Sequence, residues 1–150
     1  MRAEFDQFAQ TYREQQTEGH SFLTGEDSHY FARLKAEKLK EWLPQYFTGT
    51  PKNILDFGCG DGLMTEEVRL QFPNSAIHGV DNSEESIKIA RKNHPEVHYY
   101  LSTDNLSMFP SNTFDILIAT HVFHHISFQE HEHYIQELVR VLRKDGILVS

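Results

Sequence analysis

The segment Asp56-Phe57-Gly58-Cys59-Gly60-Asp61-Gly62 concentrates the chemistry of this 150-residue chain. A carboxylate ends the apolar run Ile54-Leu55, and three glycines follow at alternate positions. Leu63, Met64 and Val68 then open a helical pattern. Strand, tight turn and helix start, in that order, make a site for a nucleotide-sized ligand. Glycine takes backbone angles closed to other residues and lets a ligand approach the main chain. The helix start offers unpaired N–H groups and a partial positive charge. A second carboxylate, Asp81, ends another apolar run roughly 20 residues beyond the turn, where an acid can accept hydrogen bonds from ribose hydroxyls. The alternative for Asp81, ahead of Asn82-Ser83, is to cap the helix that follows.

The glycine spacing separates two ligand classes. The dinucleotide fingerprint asks for a third glycine three positions after the second, and Leu63 stands there. The third glycine comes earlier, at Gly62. The whole segment resembles the cofactor motif of class I S-adenosylmethionine (SAM) methyltransferases of the small-molecule type. The resemblance implies a Rossmann-like fold, SAM as cofactor, S-adenosylhomocysteine (SAH) as product and a small-molecule acceptor. It implies that Asp56, Gly58, Cys59, Gly60 and Gly62 surround the cofactor, and that Asp81, with Asn82, takes its ribose. A nucleotide-dependent oxidoreductase is the first competing reading, opposed by Leu63. A non-catalytic SAM- or nucleotide-binding module is the second.

Other residues follow from the same resemblance. Asp104, with Asn105, stands where the family places an acid against the adenine amino group. An Asx turn is the alternative, and the spacing from Phe109-Pro110 points nearer Thr103. The run Thr120-His121-Val122-Phe123-His124-His125-Ile126 resembles the segment that flanks methyl donor and acceptor, which makes His121 a cofactor contact and His121 and His124 candidates for a general base. No metal site is expected from these histidines, and His131 and His133 are read as lying on a solvated helix face. Phe5-Asp6-Gln7-Phe8-Ala9-Gln10-Thr11-Tyr12 also resembles the family, with Tyr12 either at the methionine end of the cofactor or in the core. Cys59 reads as a packing residue, and Asp115 as structural, since it opens its strand at the end away from the ligand.

These residues need a scaffold. Phe5, Phe8, Ala9 and Tyr12 share one helix face, and a second helix is expected from about Asp27 to Leu43, with Phe31, Leu34, Leu39, Trp42 and Leu43 on one half of its wheel. From Lys52, strands alternate with helices. Strands are expected at Asn53–Phe57, Ala76–Asp81, Val97–Leu101, Phe114–Thr120 and Ile147–Val149. Helices are expected from about Gly62 to Phe72, from Ser83 to Asn93 with Ser83 as cap, and from about Phe128 until Lys144-Asp145-Gly146 ends the last. The result is an α/β fold, a doubly wound, mainly parallel sheet of about five strands with an N-terminal helical lead-in. Residues 1–150 read as one domain, with residues 1–51 as lead-in or lid and 52–150 as core.

Composition sets outer limits. A hydrophobic content of 39%, with eleven Phe and six Tyr, fits a globular chain able to bury a core. The net charge of −8 argues against a broad nucleic-acid surface. It serves solubility and also suits a cationic sulfonium. Cys59 is the single cysteine, so no internal disulfide can form, which fits a reducing, cytoplasmic setting. No apolar run approaches the ~18 residues of a membrane helix. The family usually carries two further strands, so a stop at Ser150 reads as a C-terminal truncation. Strand five then becomes an unprotected sheet edge, from which homodimerisation is expected.

Overall fold

The computed structural model describes residues 25–102, 105–120, 122–123 and 126–150. The chain divides into two compact units, residues 1–30 and 31–150, and the second holds the sheet. The expected helix over Phe5–Tyr12 lies outside the described residues.

Five strands form one parallel sheet: β1 (Asn53–Phe57), β2 (Ala76–Asp81), β3 (His98–Leu101), β4 (Phe114–Ile118) and β5 (Leu142–Val149), in the order β3-β2-β1-β4-β5. Four α-helices are described: α1 (Gly25–Trp42), α2 (Leu63–Gln71), α3 (Glu84–Asn93) and α4 (Phe128–Val141). The expected doubly wound architecture is therefore present. Chain order runs one way from β1 to β3 and the other way from β1 to β4. That reversal leaves a crevice at the carboxyl ends of the strands, where open α/β sheets bind ligands.

Alternation along the strands builds two cores. Ile54, Ile77, Ile116 and Ile118 face Val68 of α2 and Ile87 and Ala90 of α3. Leu55, Val80, Phe114 and Leu117 lie on the opposite face with Leu138 and Val141 of α4. Every residue of β4 is buried, as its unbroken apolar run requires of a central strand. Ser83 caps α3 as expected, its hydroxyl accepting the Ser86 N–H at 3.2 Å.

Three expectations change. The buried face of α1 is Ala32, Ala36 and Leu39, continued by Leu43 in a short 3-10 turn, while Phe31, Leu34 and Trp42 are half-buried. The small alanines let the helix approach its neighbours closely. β4 stops at Ile118, two residues short. The last helix stops at Val141 and β5 begins at once at Leu142, earlier than the glycine signal at Gly146 implies. Pairing overrides that signal: Leu142 is already opposite Phe114, and Ile147 opposite Ile116. The exposed Arg143, Lys144 and Asp145 take up the extra length as an irregularity in register.

Asp115, 4% exposed, anchors that end of the sheet. Its Oδ2 accepts the Lys52 and Asn53 N–H groups at 2.8 and 3.0 Å, and its Oδ1 accepts Arg143 Nη1 at 2.7 Å. No described helix is long and apolar enough to cross a membrane.

Candidate functional site

A cleft of about 230 Å³ opens at the carboxyl ends of β1 and β2. Phe57 and Gly58 bound it from β1, and Val80, Asp81 and Asn82 from β2. Ser102 after β3 and beside Asp81, Val122 and Ile126 after β4, and Tyr134 of α4 complete the lining. Tyr134 packs its ring against Phe57, with centroids 5.6 Å apart.

The glycine turn is left-handed three times over, with φ of 76° at Gly58, 54° at Gly60 and 85° at Gly62. Two of the three are also cramped. A Cβ on Gly58 falls 2.3 Å from Val122 Cγ2, and one on Gly62 falls 2.3 Å from the Tyr99 hydroxyl. A Cβ on Gly60 meets nothing within 4 Å, so backbone conformation alone selects glycine there. Val80 O accepts both the Gly58 and Cys59 N–H groups, at 2.8 and 3.0 Å, which folds the turn back over β2.

Asp81 closes the turn from the other side. Its Oδ2 accepts the Gly60 N–H and its Oδ1 the Ser83 N–H, both at 2.9 Å. Each carboxylate oxygen has two acceptor positions, so this half-buried group retains capacity for a diol while it shapes the loop.

Asp56 is placed differently. It is 3% exposed, lies behind the turn and accepts the Thr65 hydroxyl at 2.7 Å. Burial raises its carboxyl to about 6; Thr65 and Lys35 oppose that rise and the Asp81 charge adds to it. Cys59 is buried too, and burial, reinforced by Asp56 and Asp81, pushes its thiol up and disfavours the thiolate. Its sulfur packs toward Gly79, where an added Cβ falls 2.9 Å away.

Asn105 serves its own loop. Its Oδ1 accepts the Ser107 N–H at 3.0 Å, an Asx turn, and its carbonyl accepts the Ser102 hydroxyl. α4 clamps the same loop: Glu137 Oε2 accepts the Leu106 N–H at 2.9 Å, and Arg140 donates to the Leu106 and Phe109 carbonyls at 3.0 and 2.9 Å. Tyr12, Asp104, His121 and His124 lie outside the described residues.

His133 is exposed, but His131 is not on a solvated face. It is half-buried, with Nε2 at 2.9 Å from the Phe123 carbonyl and 3.0 Å from the Ile126 carbonyl. Early in α4, it turns back onto the segment leading into the helix.

The cleft thus joins Gly58, Asp81 and Asn82 from the candidate set and adds residues the sequence did not single out. Val122 and Ile126 belong to the run 120–126 marked by resemblance, though only its histidines were singled out, while Ser102 and Tyr134 were not singled out, and the strand order brings all four to β1 and β2. Thr65 and Tyr99 went unmarked because a threonine or tyrosine at helical or strand spacing looks like ordinary core.

Residues 55–150 match the methyltransferase domain family. An uncharacterized methyltransferase of Bacillus cytotoxicus is 31% identical over 148 residues, which are 97% of this chain and 63% of that protein. Another, from Bacillus mycoides, is 30% identical with the same coverage, so the chain spans less than two thirds of these relatives. Among solved structures, the plantazolicin methyltransferase in complex with SAH is 26% identical, with a TM-score of 0.66 over 82% of this chain and 47% of that one. A TehB-like SAM-dependent methyltransferase from Corynebacterium glutamicum shares the fold, with a TM-score of 0.62 at 19% identity over 99% of this chain and 72% of that one. The resemblance carried by Asp56–Gly62 holds along most of the sheet, and the chain belongs to the methyltransferase domain family.

Proposed function

We propose that this chain binds SAM in the cleft at the ends of β1 and β2 and transfers its methyl group to a small-molecule acceptor. One observation carries the reading: Gly58 of the left-handed turn and the Asp81 carboxylate line the same cleft. The residues present fit the cofactor. Asp81 has acceptor capacity for the two ribose hydroxyls, and Gly58 lets the ligand lie close to the main chain. Phe57, Val80, Val122, Ile126 and Tyr134 give apolar surface for the adenine ring and keep water out.

When bound, SAM supplies an electrophilic methyl on a sulfonium, open to in-line displacement. The chain contributes alignment and a dry, preorganised pocket, which supply much of the barrier reduction in such a transfer. A base is needed only where the acceptor must lose a proton, and His121 and His124 are the candidates by sequence. The net charge of −8 favours a small acceptor over nucleic acid.

Calorimetric titration with SAM, SAH and NAD tests the cofactor half. SAM and SAH should bind and NAD should not; tight NAD binding would return the oxidoreductase reading. Mass spectrometry of copurifying small molecules, followed by detection of SAH formed in turnover, tests the acceptor half. Binding of SAM with no turnover on any small acceptor, by a chain of the relatives' full length, would favour the binding-module reading.

A further inference from the structure

We propose that His131 is a positioning residue for the cleft: one imidazole N–H, shared by two loop carbonyls, fixes the wall that Val122 and Ile126 present to Gly58. The inference rests on the reading of this cleft as the SAM site.

Both partners of His131 Nε2 are carbonyl oxygens, at 2.9 Å on Phe123 and 3.0 Å on Ile126. Carbonyls only accept, so Nε2 must carry the hydrogen. The ring is held as well as bonded. Phe123 lies edge-on to it with centroids 5.6 Å apart, and Phe128 packs against it at 5.8 Å. The Phe123 carbonyl also accepts the Ile126 N–H at 3.3 Å.

The two carbonyls matter because of the residues that carry or adjoin them. Val122 directly precedes Phe123, and its Cγ2 occupies the space a Cβ on Gly58 would need. Ile126 offers its carbonyl to His131 and lines the cleft. One donor therefore ties the start of α4 to Ile126 itself and to Phe123, the neighbour of Val122. If the tie is cut, the Ile126 carbonyl loses this donor, the Phe123 carbonyl keeps only the Ile126 N–H, and Val122 loses its fixed place against Gly58. The alternative is a helix-start tie that stabilises α4 without affecting the ligand.

Wild type, His131→Phe and His131→Gln separate the two. Phe keeps a flat ring and drops the donor; Gln keeps an N–H. Three readouts apply: SAH affinity by calorimetry, methyl spectra of Val122 and Ile126, and the imidazole nitrogen spectrum of wild-type His131. We expect a protonated Nε2, an SAH affinity about fivefold to tenfold weaker in His131→Phe, and recovery of most of it in His131→Gln. The Val122 and Ile126 methyl signals should move in the Phe variant while those of Leu138 and Val141 stay. Wild-type affinity in a folded His131→Phe protein, or an unprotonated Nε2, would overturn the proposal. If His131→Phe does not fold, His131→Asn, whose shorter amide cannot span both carbonyls, takes its place: wild-type SAH affinity in it, with unmoved Val122 and Ile126 methyl signals, would overturn the proposal. If wild type itself binds no SAH, the SAM reading fails, and the methyl and imidazole spectra still judge whether His131 sets this wall.

Discussion

The Asp81 carboxylate accepts the Gly60 N–H at 2.9 Å, so the last residue of β2 holds the middle of the turn that follows β1. The acid proposed to meet the ribose is also a brace for the glycines beside it. Its removal should be felt twice, in ligand contact and in loop order.

Replacing Asp81 by Ala should therefore weaken SAH binding by roughly 1.5–3 kcal/mol, the range for a hydrogen bond to a charged group. The cost to folding should be smaller, since the Gly60 and Ser83 N–H groups lie at a loop that water can reach. Paired calorimetry and thermal melts read the two effects separately. Unchanged affinity would remove Asp81 from the site.

The three glycines should respond unequally to alanine. Gly60→Ala carries only the left-handed backbone penalty, about 1–2 kcal/mol. Gly58→Ala and Gly62→Ala add a collision, with Val122 and with the Tyr99 hydroxyl. Tyr99→Phe removes the nearest atom and should recover part of the loss in Gly62→Ala. Urea midpoints across the set measure this ranking; equal losses at all three positions would contradict it.

The buried Asp56 makes stability depend on pH. Its carboxyl titrates near 6 in the fold, raised mainly by burial, against about 4 for an unfolded aspartate. Between those values the folded chain holds a proton that the unfolded chain has released. Stability should therefore fall as pH rises through that window, by at most about 3 kcal/mol. Asp56→Asn removes the cost of ionising a buried group. The variant should be more stable than wild type at pH 8 and lose that advantage at pH 4. Denaturation at both values checks the sign.

At the other end of the sheet, Asp115 and Arg143 should differ. Asp115→Ala leaves the Lys52 and Asn53 N–H groups without their acceptor at a part-buried site, at a cost of roughly 1–3 kcal/mol. Arg143 is half exposed, so Arg143→Ala should cost about 1 kcal/mol or less. Neither should alter SAH affinity, which distinguishes this carboxylate from Asp81.

The strands were legible wherever an apolar run met a turn signal. β1 and β2 fall at their expected bounds because Pro51, Pro73 and the glycine turn punctuate them. The end of α4 was not legible, because helix termination there is set by Leu142 pairing with Phe114, a contact remote in sequence. The motif half of the site, Gly58 and Asp81, could be read from residue type and spacing. Its other half was legible only as a segment, residues 120–126: that Val122 and Ile126, with Tyr134, form the wall emerges only once β4 lies beside β1. His131 misled for a related reason. A histidine between Glu130 and Glu132 looks solvated, yet its neighbours in space are two carbonyls that no local pattern announces.

The reversal of strand order at β1 also divides the cleft by ancestry of chain segment. One bank, Phe57 to Ser102, is a single continuous stretch wound through β1, β2 and β3. The other, Val122 to Tyr134, is a short separate stretch hung from β4 and tied to itself through His131. The backbone bonds that shape the glycine turn stay within the first bank. The second bank can therefore be recoded, residue by residue, without dismantling the first. A substitution on the second bank should alter the wall of the cleft and leave the backbone bonds of the glycine turn in place.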